Sequence, residues 1–349
     1  MKLTYKTIEL DLEFPFRISR GEKFVSKTII TQLEHTYNGQ TYFGFGEAVF
    51  SEFYGENEDS VSKAYKHIIK DGILQNIDLF NEQELQRRIG SFGGNYAAKA
   101  GLNIALYDLR AKVLGLPLYK FLGSDKTKAP QSSYTIGIAD KETIVQKVKT
   151  ALDRNYKILK VKLGSSEDLE MLKTIRSLAP QATIRVDANA AWTYDEAIEL
   201  IDEIKSLDIE FVEEPLKLDS SEEAYEKLFH KSPIPLMADE SCKRLADIEK
   251  CSKYFHMVNF KLTKTGGISE TLRMIHAARA LDLRIMLGCF TETNISISAM
   301  ASLSPLVDYA DLDGSLLLSN DPYQNQLFQG NQICLSDKLG LGIDLPSII

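Results

Sequence analysis

The chain has only four cysteines among 349 residues, at 242, 251, 289 and 334, and no two of them form a Cys-x-x-Cys pair. Such scatter excludes a disulfide framework and a thiolate zinc site, and fits the reduced thiols of a cytosolic enzyme. Excess positive charge is also missing. Forty-one Lys and Arg face 49 Asp and Glu, for a net charge of -8. Nucleic acid is therefore not an expected partner, because phosphate binding needs a basic surface. No apolar run nears the roughly 20 residues that span a bilayer, so no membrane partner is expected. The opening Met1-Lys2-Leu3-Thr4-Tyr5-Lys6 lacks the apolar stretch of a secretory signal, and a cytoplasmic location is the expectation. Low-complexity segments and long linkers are absent. What is present is ordinary globular material, 44% hydrophobic and 26% charged, long enough for a barrel with a small added domain.

The hydrophobic period changes along the chain. Residues 3 to 14, 28 to 36 and 41 to 49 alternate as strands, and Tyr37-Asn38-Gly39-Gln40 between the last two predicts a hairpin, since Asn and Gly tolerate positive φ. From Ser60 to Gly115 the period is helical, with Gly115 as a stop. Beyond residue 130 strand and helix alternate. Strands are predicted to end near Gly137, Lys162, Asp187, Glu213, Asp239, Lys261, Leu287 and Asp311, 22 to 26 residues apart. That interval holds one strand, one helix and two short loops, and eight such units close a (β/α) barrel. Ser166, Thr193 and Ser269 are the expected caps of helices running to Leu178, Leu207 and Leu281. The predicted fold is α/β: a (β/α)8-like, modified TIM barrel over 126–319, with an α+β capping domain over 1–125 on which residues 320–349 pack back.

The chemistry concentrates at the predicted strand ends. In Ile158-Leu159-Lys160-Val161-Lys162-Leu163, alternation places both lysines on one face and the apolar residues on the other. Asp187, Glu213 and Asp239 each close a strand. Three carboxylates converging on a barrel mouth repel one another, and a divalent cation compensates them; an all-oxygen set without His or Cys favours Mg2+ over zinc. Lys261 ends the sixth strand, across the axis from Lys162. The pair suits removal of a proton from one face of a carbon acid and its return to the other, with Lys160 beside Lys162 to lower its pKa. Asp311 and Asp313 share a face by alternation and are candidates to hold a substrate ammonium.

Lys-x-Lys at 160 and 162, Asp-x-Asn at 187 and 189, Glu-Glu-Pro at 213 to 215, Ala-Asp-Glu-Ser at 238 to 241 and Lys-Leu-Thr-Lys-Thr-Gly-Gly at 261 to 267 resemble the enolase superfamily in its muconate-lactonizing subgroup. Met286-Leu287-Gly288-Cys289 and Asp311-Leu312-Asp313 resemble its dipeptide epimerases. A lysine base working with magnesium is that superfamily's general pattern. The resemblance implies Asp187, Glu213 and Asp239 as magnesium ligands and Lys162 and Lys261 as the acid/base pair. It implies Lys160 on the substrate carboxylate, and Asp311 and Asp313 on the dipeptide ammonium, with Thr135 and the Cys289 backbone lining the site. Glu214 and Glu240, on the opposite strand face, would brace the ligands. The first domain would close over the mouth, where Lys23 or Arg20 would meet the substrate side chain. Lysine lacks arginine's bidentate fork, which implies a looser grip and a broader range. The implied reaction is epimerisation of L-Ala-D-Glu and L-Ala-L-Glu through an enediolate, in murein peptide recycling, by a homo-oligomer. The competing expectation is a lyase or cycloisomerase of the same fold, such as o-succinylbenzoate synthesis or muconate lactonisation, whose substrates carry no ammonium for Asp311 and Asp313.

Overall fold

A computed structural model describes residues 1–19 and 21–343. Three antiparallel strands open the chain: β1 (Lys2–Ile18), β2 (Gly21–Tyr37) and β3 (Gln40–Val49). The turn between β2 and β3 is the expected two-residue hairpin. Tyr37 pairs with Gln40, and Asn38 and Gly39 take φ of 49° and 82°. The register of β1 slips between Asp11 and Phe16, and Pro15, which has no N–H to donate, lies in that slip.

Helices α1 (Glu58–Lys70), α2 (Glu82–Gly90) and α3 (Tyr96–Val113) cover this sheet. Asn57 and Ser60 form a capping box at the start of α1, so two donors of its first turn are satisfied. α3 is buried along nearly its whole length between sheet and barrel, which is why it is built of Ala, Gly and Leu. The approach of β3 to α3 is close enough to need glycine. A Cβ on Gly46 would stand 1.9 Å from the Gly101 carbonyl oxygen, and one on Gly44 would stand 2.1 Å from that of Ala105.

The barrel follows as eight parallel strands: β4 (Tyr134–Ile136), β5 (Ile158–Lys162), β6 (Thr183–Asp187), β7 (Ile209–Glu213), β8 (Leu236–Ala238), β9 (Met257–Phe260), β10 (Arg284–Gly288) and β11 (Tyr309–Asp311). They pair in sequence order, and a bridge between Ser132 and Ala310 brings the first and last together. Each strand ends within a residue of its expected position. Leu159, Val161 and Leu163 pack outward into the main core. Inward positions stack in layers: Phe211, Met237, Met257, Met286 and Tyr309 form the lower one, and Arg185 lies against the rings of Phe211 and Tyr309.

Two expected caps are corrected. The helix Asp168–Leu178 begins after Glu167, and the Asp168 carboxylate, rather than Ser166, accepts the loop N–H groups of Gly164 and Ser165. The helix Ile268–Ala280 begins after Gly267, and the Ser269 hydroxyl donates to Glu82 of α2 while accepting from Asn103. Thr193 does cap its helix, in a full capping box with Glu196. That helix ends at Ile204 and tightens to a 3-10 turn over Lys205–Leu207. The tail returns to the first sheet and α3: Ser319 N–H donates to Asp11 O, Leu118 N–H to Gly340 O, and Leu341 N–H to the buried Asp108 carboxylate. No helix among the described residues is long and apolar enough to cross a membrane.

Candidate active site

The upper inward layer is ionic. Asp187, Glu213 and Asp239 close β6, β7 and the turn after β8, are fully buried, and offer carboxylate oxygens all within 4.8 Å of one another. Parallel pairing builds the group: Lys162 pairs with Asp187 and Asp187 with Glu213, so in-register strand ends deliver their side chains at one height. Lys162 Nζ lies 2.6 Å from Asp187, and Lys261 Nζ lies 2.7 Å from Asp239. The two amines therefore flank the triad, on strands four places apart in a ring of eight. Lys160 lies within the cluster itself, at 2.7 Å from Glu213 and 3.2 Å from Asp187, and also reaches Asp311 at 2.8 Å.

Charge is unevenly distributed here. Burial lifts Asp187, but the Lys162 and Lys160 ammoniums outweigh it and hold the carboxyl well below the usual range. Asp239 is likewise held low against burial by Lys261 and Lys264. Glu213 goes the other way: burial, then the neighbouring Asp187 charge, push it up to about 7. Lys160 stays above the ordinary lysine range because Asp311 and Glu213 overcome its burial. Glu213 Oε2 is wholly buried and makes no well-aligned hydrogen bond, its neighbour being the Lys160 ammonium at 2.7 Å. Three buried carboxylates with their oxygens this close form a set of hard oxygen donors that fits a divalent cation such as magnesium.

The surroundings fix this geometry. Glu214, at φ 35°, turns away from the triad and accepts from the backbone N–H of Asp239 and Ser241 and from the Ser241 hydroxyl, bracing the β8 turn. Asn189 and Ala190 also take positive φ, and the Asn189 N–H donates to Asp187 Oδ1. Left-handed backbone at three non-glycine positions is strain concentrated around one cluster, as at many functional sites. Asp311 accepts from Ser133 as well as pairing with Lys160. Asp313 lies beyond the strand end and accepts from the N–H and hydroxyl of Thr135. Cys289 Sγ accepts from Gly314 N–H, and burial pushes its thiol far above the ordinary range, which disfavours a nucleophile.

Three residues in the cluster were given no role of their own from the sequence. Lys264 is wholly buried and donates to the Asp239 carboxylate and to the carbonyls of Asp239, Asn259 and Cys242. Asn259 donates to Glu213 Oε1. Phe290 lies under Lys261, with Nζ 4.9 Å from its ring centre, and Tyr54 meets the same ring edge-on. Lys23 is exposed on the cap sheet. On β2 it shares a face with Val25, whereas Phe24 shares the face of Ser26, whose hydroxyl reaches Thr291 O in the loop after β10. Arg20 is outside the described residues.

The chain has relatives among known proteins. Residues 4–123 match the mandelate racemase / muconate lactonizing enzyme N-terminal domain, and residues 143–347 match the enolase C-terminal domain-like family. An L-Ala-D/L-amino acid epimerase of a Maribacter species is 37% identical over 92% of both chains. The L-Ala-D/L-Glu epimerase of Bacteroides thetaiotaomicron is 36% identical over 98% of this chain and 88% of its own. The crystal structure of a dipeptide epimerase from Cytophaga hutchinsonii, complexed with Mg and the dipeptide D-Ala-L-Val, superposes with a TM-score of 0.89 at 29% identity, covering 99% of this chain and 96% of that one.

Proposed function

The chain belongs to the mandelate racemase / muconate lactonizing enzyme family of the enolase superfamily, and from that membership we propose that it is a dipeptide epimerase interconverting L-Ala-D-Glu and L-Ala-L-Glu. The observation that carries the reading is the placement of Lys162 and Lys261 on opposite sides of one buried carboxylate triad. Asp187, Glu213 and Asp239 would hold one magnesium ion, which supplies positive charge for the substrate carboxylate as its α-carbon is deprotonated. Lys160 adds a fixed ammonium at the same place. One of the paired lysines takes the α-proton from its face, and the other returns a proton from the opposite face, which inverts the centre. Asp311 and Asp313 would accept hydrogen bonds from the dipeptide ammonium, and that preference separates a dipeptide from the acids used by lyases of this fold.

Murein peptides fit such a substrate, in a cytoplasmic homo-oligomer whose cap (1–125 with 320–349) closes on the barrel (126–319). A second reading has its own support. Phe53, Tyr54 and Phe290 meet edge to face in a row that ends beside Lys261, so the wall near this lysine is aromatic. Apolar side chains would be accepted there alongside glutamate. One assay tests both: L-Ala-L-Xaa dipeptides incubated with magnesium in heavy water and read by mass gain at the α-carbon. Mass gain on L-Ala-L-Glu is expected. Gain on Leu or Phe dipeptides alone would replace glutamate with the apolar class, and no gain on any dipeptide, with or without N-acetylation, would sink the epimerase.

A further inference from the structure

Strand β3 ends against the two loops that follow β9 and β10, and it holds both. The Thr263 hydroxyl, two residues after Lys261, donates to Val49 O at 3.0 Å. Glu47 does more. Its carboxylate accepts from Thr293 N–H at 3.1 Å, from the Thr293 hydroxyl at 2.7 Å and from Ser296 N–H at 3.2 Å. Those groups open the ten-residue helix Asn294–Leu303, so a side chain of the cap sheet occupies the N-terminus of a barrel helix.

The arrangement is costly. Glu47 is fully buried, has no ion-pair partner among the described residues, and has two further acids nearby, Glu292 and Asp321. Filling space alone would not require a carboxylate at such a position. What the carboxylate fixes is the segment between Cys289 and Thr293. Within it the Phe290 N–H donates to Glu292 at 2.9 Å, and the Phe290 ring forms the wall under Lys261 Nζ. Among the described residues, no comparable hydrogen bond ties β3 to Lys162.

We propose that Glu47 is a positioning residue for the Lys261 side of the site: by anchoring the Thr293 end of the β10 loop, it sets the Phe290 wall and with it the aim of Lys261, without touching substrate. This rests on the epimerase reading, in which an α-proton removed by Lys162 either returns to Lys162 or is replaced from Lys261. Misplacing Lys261 therefore raises the fraction that returns.

Glu47→Gln and Thr293→Val, in the full-length magnesium-loaded protein, should each lower kcat for epimerisation by about 10-fold to 100-fold, the cost of misplacing a reacting group. KM should change little. Wash-in of deuterium without inversion should persist for the isomer whose α-hydrogen faces Lys162, so the ratio of exchange to epimerisation rises for that isomer and not for its epimer. A purely structural role would lower exchange and epimerisation together and leave the ratio at the wild-type value. That result in a folded variant overturns the proposal, and Thr293→Val carries the test if Glu47→Gln does not fold. Wild-type protein that exchanges no dipeptide α-proton would defeat the enzymatic reading itself, whereas an active wild type with unchanged ratios defeats only the role of Glu47.

Discussion

A lysine removes a proton from carbon only while its own amine is neutral. Lys261 is poorly placed for that while its carboxylate neighbour is unshared. Burial pulls its ammonium down, but Asp239 outweighs burial and leaves Lys261 above the ordinary lysine range. A divalent cation held by the triad would share the Asp239 carboxylate with Lys261. Its charge opposes the ammonium, so the base and the cation site are coupled by geometry. Lys264 holds the other Asp239 oxygen, Oδ1. Lys162→Ala and Lys261→Ala are each expected to abolish epimerisation, a loss of at least about 100-fold for a general base. Each should retain α-proton exchange only for the isomer facing the remaining lysine, as mass spectrometry in heavy water will report. Equal exchange of both isomers in either variant would break the two-base assignment. Both lysines were legible because an apolar strand does not carry charge at inward positions without a reason. Lys264 was not, since nothing in Lys-Leu-Thr-Lys distinguishes a solvated lysine from one wrapped in carbonyls.

At the scale of elements, legibility followed how local the determining interaction is. The strand ends could be placed because each is fixed by its own apolar run and by a steady repeat. Thr193 could be read as a cap because its partner, Glu196, lies three residues away. Ser269 was misread because its partners, Glu82 and Asn103, come from the other end of the chain. Asp313 was expected to continue the alternation of Asp311, but β11 ends at 311, and Asp313 turns to the Thr135 backbone of β4. The β3–α3 contact belongs to the same class of long-range facts. Its glycines read as ordinary strand residues, yet no side chain fits where the Gly46 Cα faces Gly101 O. Gly46→Ala is expected to destabilise by at least about 1–3 kcal/mol, the usual cost of overpacking, because backbone cannot rotate aside. Thermal melting would show it as a drop in Tm. Gly39→Ala lies in open space and is strained only by its φ, so it should cost less. Equal Tm losses for the two would contradict the packing argument.

Over the whole molecule, the barrel end stores mutual repulsion that one ion relieves, and this makes stability a function of both magnesium and pH. Glu213 decides the pH window. Its carboxyl, lifted by burial and then by Asp187 to about 7, holds a proton more tightly in the folded chain than in the unfolded one. Its favourable contribution is therefore complete below the ordinary glutamate range and is lost as pH rises through about 7. Asp187 and Asp239 have the opposite sign. Held low by lysines, they contribute above the ordinary aspartate range and lose that contribution only in stronger acid. Between mild acid and neutrality, then, Glu213 is the member of the triad that changes charge. Magnesium binds the ionised form, so the proton and the ion compete for it. At a concentration 100-fold above Kd, magnesium should stabilise the fold by about 2.7 kcal/mol near pH 8. The gain in Tm should shrink steadily as pH is lowered to about 5, where protonated Glu213 resists the ion. Chelation at pH 8 should reverse the gain, and Asp239→Asn should remove it at every pH. A Tm gain of constant size across this range, or one that survives Asp239→Asn, would place the ion somewhere other than among these three carboxylates.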